Sequence, residues 1–232
     1  MDYSQISVLL TLAFGLGLLH SLDADHIMAV SNLASGRRGV KSNIHFCLRW
    51  ASGHGLTLFI VGLFVFVLGL SLPQNLSLYA ERAVALILII IGLYVLFDVW
   101  RRRIHIHFHH HDDLPAHAHW HSHAKQDSHA KQESHKHSHT ALFVGMLHGL
   151  AGSAPLLALI PVTMNQQPMI GFIYLIIFSL GVIVAMLLFG GLLGYFSNII
   201  ITYSEKIFRL IRTLLGVGAI GVGSVILLGT RT

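Results

Sequence analysis

Charged side chains are scarce in this chain. Asp, Glu, Lys and Arg make up 11% of its 232 residues, against about 25% in an average soluble domain. Together with 54% hydrophobic residues and a mean hydropathy of +0.68, that shortfall excludes an ordinary soluble domain and points to a membrane protein. Cysteine is nearly absent. Cys47 stands alone, so no internal disulfide can form and the redox compartment stays open. No nucleotide-binding P-loop occurs, so the chain shows no ATP motor of its own. No Glu lies within an apolar span as a general base; Glu81 and Glu205 fall at helix starts. A cleavable signal peptide is not expected, because the first apolar segment lacks a basic n-region and carries Asp2.

What is present is a set of long apolar runs. They predict an all-α membrane protein of six transmembrane helices: Ile6–Leu33, Trp50–Leu70, Tyr79–Trp100, Ala141–Thr163, Met169–Ile200 and Ile207–Leu228. About 20 residues suffice for one crossing. The first run is longer than that and is interrupted by polar residues, so a broken helix is expected there. Gly190-Gly191 suggests a bend in the fifth span, and Pro155 and Pro161 a kink in the fourth.

The formal net charge of +5 invites a nucleic-acid reading, but the cations sit at the ends of apolar runs, as topology signals do. Of the fifteen Lys and Arg residues, thirteen fall on one side: Arg37, Arg38, Lys41, Arg49, Arg101, Arg102, Arg103, Lys125, Lys131, Lys136, Lys206, Arg209 and Arg212. Arg82 and Arg231 fall on the other. The basic side is expected to be cytoplasmic. Both termini then lie outside a cytoplasmic (inner) membrane, and the first span runs inward.

A short internal repeat is visible. Gly17-Leu18-Leu19-His20-Ser21-Leu22 resembles Gly145-Met146-Leu147-His148-Gly149-Leu150 at an offset of 128 residues. Tyr79-Ala80-Glu81-Arg82 resembles Tyr203-Ser204-Glu205-Lys206 at an offset of 124, and Gly92 and Gly216 keep that offset. Three spans per half would make the halves inverted in the membrane, a 3+3 plan common among secondary transporters with a site at the repeat interface. The expected division is a first half at 1–103, a histidine-rich segment at 104–140 and a second half at 141–232.

The chemistry concentrates in the first run. His20, Asp23, Asp25 and His26 fall within seven residues of an otherwise apolar stretch, where each charge costs about 2.5–3.5 kcal/mol on insertion scales. A bound cation removes that cost by neutralising the carboxylates and accepting the imidazoles. On a continuous helix at about 100° per residue, His20, Asp23 and His26 share one face and Asp25 lies opposite. In that case Asp25 supports the ligands; if the helix unwinds, it can join them. Imidazole mixed with carboxylate suits Ni, Co, Zn or divalent Fe, while the lack of thiolate disfavours Cu(I). Mg and Ca would want oxygen throughout. The plainer alternative is that the Asp and His pairs merely neutralise one another. His54, between Gly53 and Gly55, and His148, the repeat mate of His20, are further candidate ligands. Asp98 and His45 read as boundary and surface residues.

The segment Ile104–Thr140 holds thirteen of the eighteen histidines and almost no apolar residues. It is expected to be cytoplasmic and disordered. At such density, imidazoles bind transition metals weakly and repeatedly, as a reservoir or sensor. A drifted polar linker is the bland alternative.

His20-Ser21-Leu22-Asp23-Ala24-Asp25-His26-Ile27 resembles the signature of the nickel/cobalt transporters, and Ser52-Gly53-His54-Gly55 is similar to the Gly-His-Ser motif of their next helix. The short six-span form looks most like the urease-associated bacterial nickel transporters. Better-known members have eight spans and later acidic motifs that Gly145–Ser153 does not match. The resemblance implies a carrier of Ni(II) or Co(II) in a lipid bilayer, with no resident cofactor and no nucleic-acid partner. Uptake is expected, because the membrane potential favours an incoming cation by about 2.3 kcal/mol per charge per 100 mV. An exporter, or an intramembrane zinc enzyme using the same ligands, are the alternatives.

Overall fold

The computed structural model describes residues 2–35, 37, 39–66, 74–101, 106–111, 114–120, 130–151 and 168–230. Among these residues the chain forms α1 (Tyr3–His20), α2 (Ala24–Ala34), α3 (Val40–Phe66), α4 (Gln74–Arg101), β1 (Ile106–His111), β2 (Leu114–Trp120), α5 (Ala130–Leu150), α6 (Pro168–Tyr203) and α7 (Glu205–Gly229). Five of the helices are long and apolar enough to cross a membrane: α1, α3, α4, α6 and α7. This is a multi-pass helical membrane protein. The far part of the expected fourth span, with Pro155 and Pro161, lies outside the described residues.

α1 starts at a reciprocal cap. Asp2 accepts from the Gln5 N–H at 2.9 Å, and the Gln5 side chain accepts from the Asp2 N–H at 3.1 Å, satisfying donors that a helix start leaves free. The helix ends at the polar motif, where the first apolar run was expected to break. Leu22 N–H donates to the Leu19 carbonyl at 2.9 Å and Asp23 N–H to that of His20 at 3.1 Å, a tightened last turn. Asp23 is then extended (φ −59°, ψ 147°) and α2 begins. Counting from the helix start also moves His54. The apolar run alone puts it near the beginning of its span, but α3 starts at Val40, so His54 is central in 27 residues.

The helices cross through glycines. A side chain at Gly17 would strike the backbone of Phe178 on α6, and one at Gly181 that of Phe14 on α1. A side chain at Gly53 would strike the backbone of Leu142 on α5, and one at Gly145 that of Trp50 on α3. Each position in the first crossing has its counterpart in the second 128 residues away. α3 and α6 run antiparallel: Gly194 lies against Val40, Gly190 against Cys47 and Gly55 against Ser179. α4 and α7 do the same, with Gly92 on Gly216, Gly223 on Ala85, and a 2.8 Å ion pair from Arg212 to Asp98. Backbones approach this closely only where no Cβ intervenes, the packing that replaces hydrophobic drive inside lipid.

α6 is one uninterrupted helix through Gly190-Gly191, where Gly190 lies against Cys47. One expectation is corrected. The histidine-rich segment, read as structureless, contains an antiparallel β1–β2 hairpin pairing Ile106 with Trp120 and His109 with His117, and α5 already begins at Ala130. The expectation of disorder rested on low apolar content. It overlooked the strict alternation of His117-Ala118-His119-Trp120, which suits a strand, and the helix formers Ala130-Lys131-Gln132-Glu133.

Candidate metal centre

Four histidines from four helices meet in the core. His20 closes α1, His26 lies in the first turn of α2, His54 is mid-α3 and His148 is near the end of α5; their exposures are 5%, 2%, 0% and 1%. Ring centroids of His20 and His26 lie 4.6 Å apart, His20 and His54 5.3 Å, His26 and His54 5.4 Å, and His26 and His148 5.2 Å. One nitrogen from each of His20, His26 and His54 lies within 4.8 Å of the others. Spacing in the sequence pairs His20 with His26. The Gly53 and Gly145 crossings bring in the other two.

Most of these ring nitrogens have nothing to bond. Both nitrogens of His20, both of His54, His26 Nε2 and His148 Nε2 are buried with no hydrogen-bond partner among the described residues. Leaving a buried polar atom unmet costs about 1–3 kcal/mol each, and so many in one place call for an explanation. The remaining nitrogens are orientated. His148 Nδ1 donates to the Val144 carbonyl at 2.8 Å, and His26 Nδ1 donates to Asp25 Oδ1 at 2.9 Å. A proton fixed on Nδ1 leaves the lone pair on Nε2, the tautomer that metal-ligating histidines adopt.

The carboxylates are divided between the rings. Asp25 holds His26. Asp23 stands at the position that caps α2, yet its side chain makes no capping bond; Oδ2 lies 2.9 Å from His20 Nδ1 instead. That approach lacks hydrogen-bond alignment, so it is an electrostatic contact. Asp23, Asp25 and His26 offer a second close donor set, more open than the first. Because the helix unwinds at residues 21–23, Asp25 comes to the same site as the others rather than to the far face of a continuous helix. Both carboxylates open onto a cleft of about 690 Å³, lined across from them by Gly218, Gly221, Val222, Val225 and Ile226 of α7.

Trp50 is the component that motif reading missed. It is fully buried, stacks on His54 at 5.4 Å and an interplanar angle of 15°, and meets His26 and His148 edge-on at 4.9 and 5.5 Å. The offset of 128 residues signals it, since Trp50 corresponds to Phe178, which packs on His20 at 5.6 Å. Asp98 is taken up by Arg212. His45 is exposed and its Nδ1 donates to the Lys41 carbonyl at 2.7 Å.

Residues 12–223 match the family described as the cytochrome C biogenesis protein transmembrane region. The chain belongs to this family. Within the cytochrome C biogenesis transmembrane family its similarities point to nickel. The urease accessory protein UreH of Bacillus sp. (strain TB-90) is 29% identical over 196 residues, covering 84% of this chain and 79% of the relative. The high-affinity nickel transport protein of Cupriavidus necator is 32% identical over 75 residues, 30% of this chain and 20% of the relative. These similarities bear out the nickel-transporter resemblance that the motifs carry, and neither relative is named as an enzyme. No solved structure matches the chain.

Proposed function

We propose that this protein is a secondary-type transporter that carries Ni(II), with Co(II) as a second substrate, inward across the cytoplasmic membrane. The observation that carries the reading is the cage of His20, His26, His54 and His148, buried among the helices with ring nitrogens that meet no partner among the described residues. Nitrogen donors without thiolate favour a borderline divalent ion over Mg or Ca. The name of the Cupriavidus necator relative supports nickel among the candidates.

A 3+3 inverted repeat is part of the proposal. Its support is the matched pair of glycine crossings and the antiparallel pairing of α3 with α6 and of α4 with α7, each the repeat mate of the other. The orientation follows the basic residues: termini outside, hairpin inside. The cleft lies along Gly218–Ile226, away from Lys206, Arg209 and Arg212 at the basic end of α7. In this orientation that half of α7 is the outer one, and an inside-negative membrane potential supports the inward direction. On the basic side α2 closes against α7, where Asn32 donates to the Leu215 carbonyl at 3.0 Å.

The test is flux into proteoliposomes holding the purified protein, with Ni(II), Co(II), Zn(II) and Mn(II) in competition and an imposed inside-negative potential. Ni(II) should accumulate above protein-free vesicles, Co(II) should compete best, and the potential should accelerate uptake. Equal passage of Mn(II) and Ni(II) would contradict a nitrogen-lined site.

A further inference from the structure

Two donor sets share one residue. Asp23, Asp25 and His26 face the cleft, with Asp23 48% and Asp25 23% exposed at the side chain. His20, His26 and His54 form the buried set. We infer that the ion occupies two stations in turn, an outer one of mixed oxygen and nitrogen and an inner one of nitrogen alone, with His26 passing it from one to the other. This rests on the reading of the cage as a transport site, and it adds an order of events and a limit on occupancy.

The limit comes from His26. A neutral imidazole has one lone pair. With its Nδ1 proton given to Asp25, the lone pair is on the buried Nε2, and His26 serves the inner station. An ion seated between Asp23 and Asp25 takes Nδ1 in place of that hydrogen bond, and the proton then resides on Nε2. His26 cannot complete both stations at once, so a second ion is shut out while the first is in place. The order follows from exposure. A hydrated cation arriving through the cleft meets Asp23 first; oxygen ligands substitute for its water before the imidazoles take it into the region where no water replaces what is lost. The wall of the cleft includes Gly221, where an added Cβ would meet nothing within 4 Å, and this leaves room for a partly hydrated ion. Hard cations that hold their water would stop at the outer station, for the inner one offers them no oxygen.

The test uses Ni(II) alone as the probe and the full-length protein in detergent, with the thirteen histidines of residues 104–140 replaced by Asn in every sample, the wild-type cage included, so that the Ni(II) counted is held by the cage and the cleft. Metal content at saturation, the nickel X-ray absorption spectrum and stopped-flow association are measured together. The wild type should bind one Ni(II) with an imidazole-rich spectrum. The double variant His54→Ala/His148→Ala should still bind one, roughly 10–100-fold more weakly, with imidazole replaced by oxygen. Asp23→Asn, on the cleft surface and no threat to folding, should keep the wild-type spectrum and load roughly tenfold more slowly. Two ions per wild-type chain would overturn the shared residue. So would an Asp23→Asn protein that loads as fast as the wild type, or a double variant of normal gel-filtration profile that binds no Ni(II). A wild type that passes all three measurements but moves no metal in vesicles upholds the two stations and defeats the transport reading instead.

Discussion

The chain keeps its histidines in two places and treats them differently. Thirteen lie in the segment 104–140 and four in the buried cage. Six of the many lie on the β1–β2 hairpin, outside the helices long and apolar enough to span a membrane. The few are fixed by helices that cross at glycines, each at a different height along its own helix; nitrogens of His20, His26 and His54 converge, and most of the cage's nitrogens meet no partner among the described residues. Density of a ligand type therefore says little about a site. Convergence in a place where the ring cannot find water says much more, because there the unmet nitrogen has a cost that only a cation or a proton can remove.

That contrast can be broken from either side. The largest effect is expected at the shared ring: His26→Ala should reduce Ni(II) flux in proteoliposomes to that of protein-free vesicles. Next comes the frame. Gly145→Leu forces a side chain into the backbone of Trp50, and overpacking of that kind costs about 1–3 kcal/mol and occasionally more. Its thermal melting temperature in detergent should fall along with metal binding, even though no ligand is touched. Asp25→Asn keeps every imidazole but weakens the hold on His26 Nδ1. Loss of such an outer partner typically costs 10–100-fold in metal affinity, which equilibrium titration with Ni(II) would read. The smallest effect is expected from removing residues 106–120: initial flux and the ranking of metals should stay as they are, while the Ni(II) retained by cells falls.

Much of the cage was legible in the sequence, for reasons that differ residue by residue. His20, Asp23, Asp25 and His26 stood out because charge in an apolar run is costly wherever the helix turns. His148 was legible only through the repeat, and His54 only through its flanking glycines. Trp50 was not read at all: an aromatic residue in an apolar span looks like ordinary core, and its stacking on His54 is a tertiary fact. The division of labour between the carboxylates was hidden too, because it depends on the helix unwinding at residues 21–23, which frees Asp23 from its capping bond. In the fold, the apolar runs located the spanning helices but not their starts, since α3 begins in a stretch that Lys41 and Arg49 make look like a loop. The hairpin in the histidine tract lay in the alternation of residues, a signal outweighed by low apolar content.

The central claim is that transport runs through the buried cage and not through the histidine-rich segment. The most direct measurement is the initial rate of Ni(II) uptake into proteoliposomes by two variants side by side, His54→Ala with the hairpin intact and a chain lacking residues 106–120 with the cage intact. The account predicts that the first falls to the rate of protein-free vesicles and the second matches the wild type. Uptake that survives in the first and disappears in the second would contradict it.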